Sequence, residues 1–134
     1  MQTLKIVYLN NRCIMNTKIC SIPYNSNAML DSKDSLIAQQ LKSRLSQITQ
    51  IEQLVIFGSR ARGNADRESD MDVFIEVPAL TPDLRRSISE IAWEVGLEND
   101  LLISTLVATP EDIQDGLLGA NPILRAIEKE GVSI

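Results

Sequence analysis

Apolar positions along the chain follow helical and strand periodicities, separated by breaks marked with glycine, proline and polar residues. From Ser32 to Ile48, the residues Ile37, Leu41, Leu45 and Ile48 recur at helical spacing, which predicts an amphipathic helix with one buried stripe. Asp31 or Ser32 can cap its start, and Asp34 falls in the first turn, where the helix dipole favours an acid. Leu54–Phe57 is a short continuous apolar run stopped by Gly58, as expected of a strand covered on both faces. Met71–Val77 follows period two, with Met71, Val73, Ile75 and Val77 on one face and Asp70, Asp72, Phe74 and Glu76 on the other. Pro78 ends it. Between the two strands the pattern predicts a single helical turn at Ser59–Arg62 and then an exposed loop up to Ser69.

A second long helix is predicted from Pro82 to Glu94 or Gly96, with Thr81 as cap and Pro82 at the favoured first position. Leu84, Ile88, Ile91 and Val95 form its stripe, and Trp93 lies off it. Leu101–Val107 reads as a third strand, followed by short helices at Pro110–Leu118 and Pro122–Glu130, each opened by proline. The element order predicts a small α/β (α+β) fold, a mixed sheet of at least three strands flanked by helices. Residues 31–134 are expected to form a single domain, consistent with the 134-residue length. Residues 1–30 read as a poorly structured extension or a misassigned start, since Met15 and Met29 are alternative initiators. An edge strand at Leu4–Leu9 is the alternative.

Composition narrows the chemistry. Apolar residues make up 44% and charged residues 23%, and the net charge is −5. That balance opposes nonspecific nucleic-acid binding, which depends on neutralising phosphates. Arg60, Arg62 and Arg67 nevertheless concentrate positive charge on one short stretch. The chain has no histidine and only two cysteines, Cys13 and Cys20. Ser-His triads, Cys-His dyads and His-Cys zinc sites are therefore excluded, and any metal must be a hard cation held by carboxylates, Mg²⁺ or Mn²⁺. The cysteine pair makes a weak disulfide case, so a reducing cytoplasm is expected. No stretch reaches the roughly 20 apolar residues a membrane-spanning helix needs. The run Ile6–Leu9 is broken by Asn10, Asn11 and Arg12, which does not suit a signal peptide.

The chemistry concentrates in Gly58–Ile75, GSRARGNADRESDMDVFI. A glycine straight after a buried strand lets the backbone turn sharply and lets a ligand approach bare main chain. Ser59 adds a hydroxyl, and the amides that follow can form an anion-binding concavity. Asp70 and Asp72 project from one face of a strand mouth, about 6.6 Å apart along the backbone. Two carboxylates so placed repel, and a Mg²⁺ between them relieves the repulsion.

Gly-Ser after an apolar strand, Arg-x-Arg-Gly, a spacer and then Asp-x-Asp within a second apolar strand resemble the signature of the DNA polymerase beta-type nucleotidyltransferase superfamily. The likeness is closest to its minimal nucleotidyltransferase branch. It is carried by Leu54–Val77; the remainder agrees in element order and length. The resemblance implies that Gly58 and Ser59 hold the β- and γ-phosphates of a nucleoside triphosphate, with Ser69 also at the nucleotide. It implies that Asp70 and Asp72 are the catalytic, Mg²⁺-binding pair. Arg60 or Arg62 would neutralise charge on the leaving pyrophosphate.

One departure stands out. The superfamily pattern has a third carboxylate on the strand after the intervening helix, but here that strand reads LLISTLVAT, with Ser104 at the expected place. Glu76 lies about 13 Å beyond Asp72 along its strand, and Asp100 reads as a turn residue. Without a base, a sugar hydroxyl is a poor acceptor, whereas a tyrosine phenol with a pKa near 10 needs less help. The expected activity is therefore transfer of a nucleoside monophosphate, AMP from ATP, to a hydroxyl of a partner protein. The resemblance implies that this partner is a HEPN-domain toxin and that the chain is its antitoxin. The alternative is a catalytically degenerate module that binds nucleotide or partner.

Overall fold

The computed structural model describes residues 30–114 and 121–134, together with the backbone of two short strands, β1 (Tyr8–Leu9) and β2 (Asn11–Arg12). These pair antiparallel with each other, in a ladder separate from the main sheet. The rest of the N-terminal stretch, including Leu4–Val7 of the expected edge strand, lies outside the described residues.

Helix α1 (Ser32–Leu45) begins at Asp31, whose carboxylate accepts from the Lys33 amide at 3.0 Å. It stops earlier than its periodicity suggested. Ser46 caps it, its hydroxyl donating to the Lys42 carbonyl, and Ile48 lies beyond in a turn with 44% of its surface exposed. Ile37, Ala38, Leu41 and Leu45 form the buried stripe. Strand β3 (Gln53–Phe57) leads through Gly58 into the single turn α2 (Ser59–Arg62), as the pattern predicted. Strand β4 (Met71–Glu76) then runs antiparallel to β3.

Helix α3 (Pro82–Glu98) starts at Thr81, whose hydroxyl accepts from the Leu84 amide, and continues past the expected end. Trp93 is 61% exposed, off the buried stripe as its spacing implied. The turn that follows contains Asp100 at a positive φ of 58°, agreeing with its reading as a turn residue. Strand β5 (Ile103–Ala108) lies parallel to β4. Helix α4 spans Pro110–Gln114; the remainder of the helix expected to Leu118 lies outside the described residues. Helix α5 (Pro122–Glu130) has its predicted bounds, capped by Asn121. A final strand, β6 (Val132–Ser133), was not foreseen and pairs antiparallel with β3.

The mixed sheet has the order β5-β4-β3-β6 and is buried on both faces. On one side Leu54, Ile56, Met71, Val73, Ile75 and Val77 pack against α1 and α3. On the other, Val55, Phe57 and Phe74 pack against Ile113 of α4 and Leu124 and Ile127 of α5. The alternation read from the sequence therefore separates two cores. Gly131 is what lets β6 reach the sheet, because a Cβ there would lie 2.4 Å from the Ile127 carbonyl oxygen and 2.5 Å from Val55.

Burial distinguishes the two ends of the predicted first stripe. Leu41→Ala, at a fully buried site, should lower unfolding stability by about 2–5 kcal/mol. Ile48→Ala should change it by less than about 0.5 kcal/mol. Urea denaturation followed by Trp93 fluorescence or circular dichroism checks both.

Candidate active site

The site is assembled by strand register. In the β3–β4 pair Phe57 is opposite Asp72, so the residue after Phe57 meets the Asp72 side chain. That residue is Gly58, with φ 77° and ψ −154°, a region open essentially only to glycine. A Cβ at Gly58 would sit 2.3 Å from Asp72 Oδ2. The glycine is thus needed twice, for its backbone conformation and for the space beside the carboxylate. Ser59 opens α2 directly after it, and Gly63 closes the turn in the left-handed conformation, φ 80°.

Asp70 is exposed just before β4, and Asp72 is partly buried within it. Partial burial raises the Asp72 pKa, the charge of Asp70 raises it further, and Arg62 opposes the shift. Desolvation and a like charge both penalise the carboxylate form. The donor set fits a hard divalent cation: two adjacent carboxylates, one solvent-facing, with no cation fully neutralising them. Among the described residues no group of three or more His, Cys, Asp or Glu side chains gathers as a metal site.

In the parallel β4–β5 pair Asp72 lies opposite Ser104. The exposed serine therefore occupies the neighbouring sheet position, where the superfamily pattern has its third carboxylate. Glu76 is buried farther along β4.

The two arginines of α2 go opposite ways. Arg62 bonds Glu130 of α5 at 2.6 Å, half-exposed on the side of the sheet where Asp72 lies. Arg60 turns toward α1. Its Nη1 donates to Asp34 Oδ1 at 2.8 Å, while its Nε and Nη2 donate to the Ser69 carbonyl at 3.1 and 2.7 Å. Ser69 itself accepts from the Asp66 amide through its hydroxyl and donates to the Asp66 carboxylate. Arg67 is exposed on the loop. Gly58, Ser59, Asp70, Asp72 and Arg62 thus come together, whereas the guanidinium of Arg60 and the hydroxyl of Ser69 are engaged within the protein. A cavity of about 1270 Å³ lies on the Arg60 side, between the start of α1, loop residues 63–69 and residues 99–102; Asp70 and Asp72 do not line it.

Two participants escaped the sequence reading. Asp34 stands in the first turn as read, and it is also buried. Its spacing to Ile37, Ala38 and Leu41 places it on the buried stripe, and that signal could have identified it. Glu130 carried no comparable mark.

Comparison with known proteins bears on this arrangement. Residues 37–132 match the family model described as nucleotidyltransferase domain. Over 76 residues the chain is 37% identical to a Methanocaldococcus jannaschii protein named "putative protein adenylyltransferase", covering 53% of this chain and 75% of that one.

Two outcomes follow from the geometry. Gly58→Ala should destabilise the fold by about 1–3 kcal/mol through backbone strain and displace Asp72, measurable by urea denaturation and crystallography. Asp72→Asn should stabilise the metal-free protein at neutral pH. The raised pKa means ionised Asp72 costs stability above its folded-state pKa; that cost disappears as pH falls through this value toward the ordinary 3.8. The gain from the asparagine should fade over the same acid window, and a stability–pH profile of the two proteins reads it.

Proposed function

The chain belongs to the nucleotidyltransferase domain family and is a nucleotidyltransferase; on that premise we propose that it transfers AMP from ATP to a hydroxyl group of a partner protein, with Mg²⁺ held by Asp70 and Asp72. The observation that carries this reading is the Phe57–Asp72 register, which sets the Gly58-Ser59 turn against the aspartate pair. A phosphate chain gripped at the turn is then beside the carboxylates.

In this proposal Gly58 offers close main-chain approach, and Ser59 donates its hydroxyl to the β- and γ-phosphates. Asp70 and Asp72 would hold Mg²⁺, which would supply positive charge to offset that of the triphosphate. Arg62, on the same side as Asp72, offsets negative charge that grows on the pyrophosphate as it leaves. The acceptor oxygen forms a bond to the α-phosphorus, the bond to the pyrophosphate oxygen breaks, and the acceptor proton passes to solvent. Ser104, opposite Asp72, is neutral and cannot act as the general base a third carboxylate would provide. An acceptor that ionises more easily than a sugar hydroxyl is therefore favoured, and tyrosine, with a reference pKa near 10, meets that need. The name of the archaeal relative, a protein adenylyltransferase, agrees with a protein acceptor. The resemblance of the motif to minimal nucleotidyltransferases supports a HEPN-domain toxin as that partner and a cytoplasmic antitoxin role. Among the described residues no helix is long and apolar enough to cross a membrane.

Ser104 also favours a second reading, in which the domain binds nucleotide and silences its partner by complex formation alone. Incubation with Mg²⁺, α-labelled ATP and the protein encoded by the neighbouring gene separates the two. Label on the neighbour, lost in Asp70→Asn/Asp72→Asn with the fold retained and dependent on divalent metal, is the expected result. Stable association without transfer selects the second reading, and transfer by the double variant at the parent rate removes the site assignment.

A further inference from the structure

Arg60 is placed unlike a phosphate ligand. Its side chain is only 11% exposed and that of its partner Asp34 only 7%. Its guanidinium donates once to Asp34 on α1 and twice to the Ser69 carbonyl. Ser69 immediately precedes Asp70, so the guanidinium grips the main chain one residue before the first carboxylate of the pair. A planar guanidinium with both ends occupied holds its partners in fixed directions, which an ammonium cannot do.

The neighbouring bonds point the same way. The Ser69 amide donates to the Asp66 carbonyl at 3.2 Å and the Met71 amide to the Leu102 carbonyl at 2.9 Å. Asp70 thus sits between two tethered residues, with Arg60 fixing the peptide before it. Asp72 is secured separately by its pairing with Phe57 and Ser104. The spacing between the two carboxylates depends on both anchors, one of sheet and one of side chain. Asp34 falls ahead of residues 37–132, the stretch shared with the nucleotidyltransferase domain model.

We infer that Arg60 is a positioning residue that, braced by the buried Asp34, holds the Ser69 carbonyl and so sets the Asp70 carboxylate for divalent cation binding, leaving phosphate contact to Arg62. The cation part of this inference rests on the proposed Asp70–Asp72 metal site. Groups that orient metal ligands without touching the metal characteristically affect cation affinity strongly.

The test uses the full chain and two variants, Arg60→Lys and Arg60→Met. Amide hydrogen exchange reports on Ser69 and Met71, electron paramagnetic resonance measures Mn²⁺ binding without nucleotide, and transfer assays give KM for ATP. The expected result in both variants is faster exchange confined to the loop before β4. Mn²⁺ affinity should fall about tenfold, with KM for ATP changed by less than about twofold. If Arg60→Met does not fold, Arg60→Lys decides, because it keeps the charge and the Asp34 pairing but loses the two-pronged hold on the carbonyl. Parent-like exchange in a folded variant overturns the inference, and a raised KM alongside it would make Arg60 a phosphate ligand. Faster exchange with unchanged Mn²⁺ affinity also overturns it, reducing Arg60 to a loop tether. Failure of the parent to bind Mn²⁺ sinks the metal assignment instead, and the exchange comparison then still decides whether Arg60 fixes the loop.

Discussion

The antiparallel register of β3 and β4 is the constraint on which the rest depends. With Phe57 opposite Asp72, one hairpin delivers both halves of the site: the glycine turn at the end of one strand and the aspartate pair at the start of the other. A slip of one residue would move every side chain of β4 to the opposite face. Met71, Val73 and Ile75 would leave the α1–α3 core and Phe74 would leave the α4–α5 core. The apolar alternation that builds the two cores therefore also fixes where the two carboxylates point. Fold and chemistry are specified by the same pattern.

Around that hairpin the protein divides its charges. Arg62 and Arg60 are two residues apart on a single helical turn, and that spacing sends them to opposite sides. One meets Glu130 near Asp72; the other meets Asp34 beneath the loop. A buried ion pair costs desolvation energy and is retained only where its geometry is well satisfied. Here each partner is nearly closed off from solvent, and the remaining guanidinium donors find a main-chain oxygen. Such a pair specifies an arrangement more than it adds stability.

Much of this was legible in the residues. Thr81 and Asn121 have the capping chemistry their helices use, and the proline-opened bounds of α5 were readable because Pro122 and Gly131 punctuate both ends. Ser104 was located through the resemblance, whose pattern has a carboxylate on the strand after the intervening helix, and the parallel register sets it opposite Asp72. The failures have local causes. Ile48 kept helical spacing after the helix had ended, since periodicity alone does not see the Ser46 cap. The strand β6 is too short to show alternation, and its existence depends on Gly131 approaching Val55, a contact between residues far apart in sequence. Asp34 does stand in the first turn as read, but its ion pair was not legible, because Arg60 lies on a different element.

The late strand β6 also has a bearing on how the chain acquires its structure. Phe57 and Asp72 are close neighbours along the chain, so closing their hairpin costs little loop entropy. Pairing of Val132 with Ile56 instead joins residues far apart in the chain, the kind of long-range closure that slows folding. The order of events favoured by these entropies forms the reactive hairpin early and completes the sheet around it afterwards. Because Glu130 lies just before β6, its pairing with Arg62 belongs to the long-range closure and not to the hairpin.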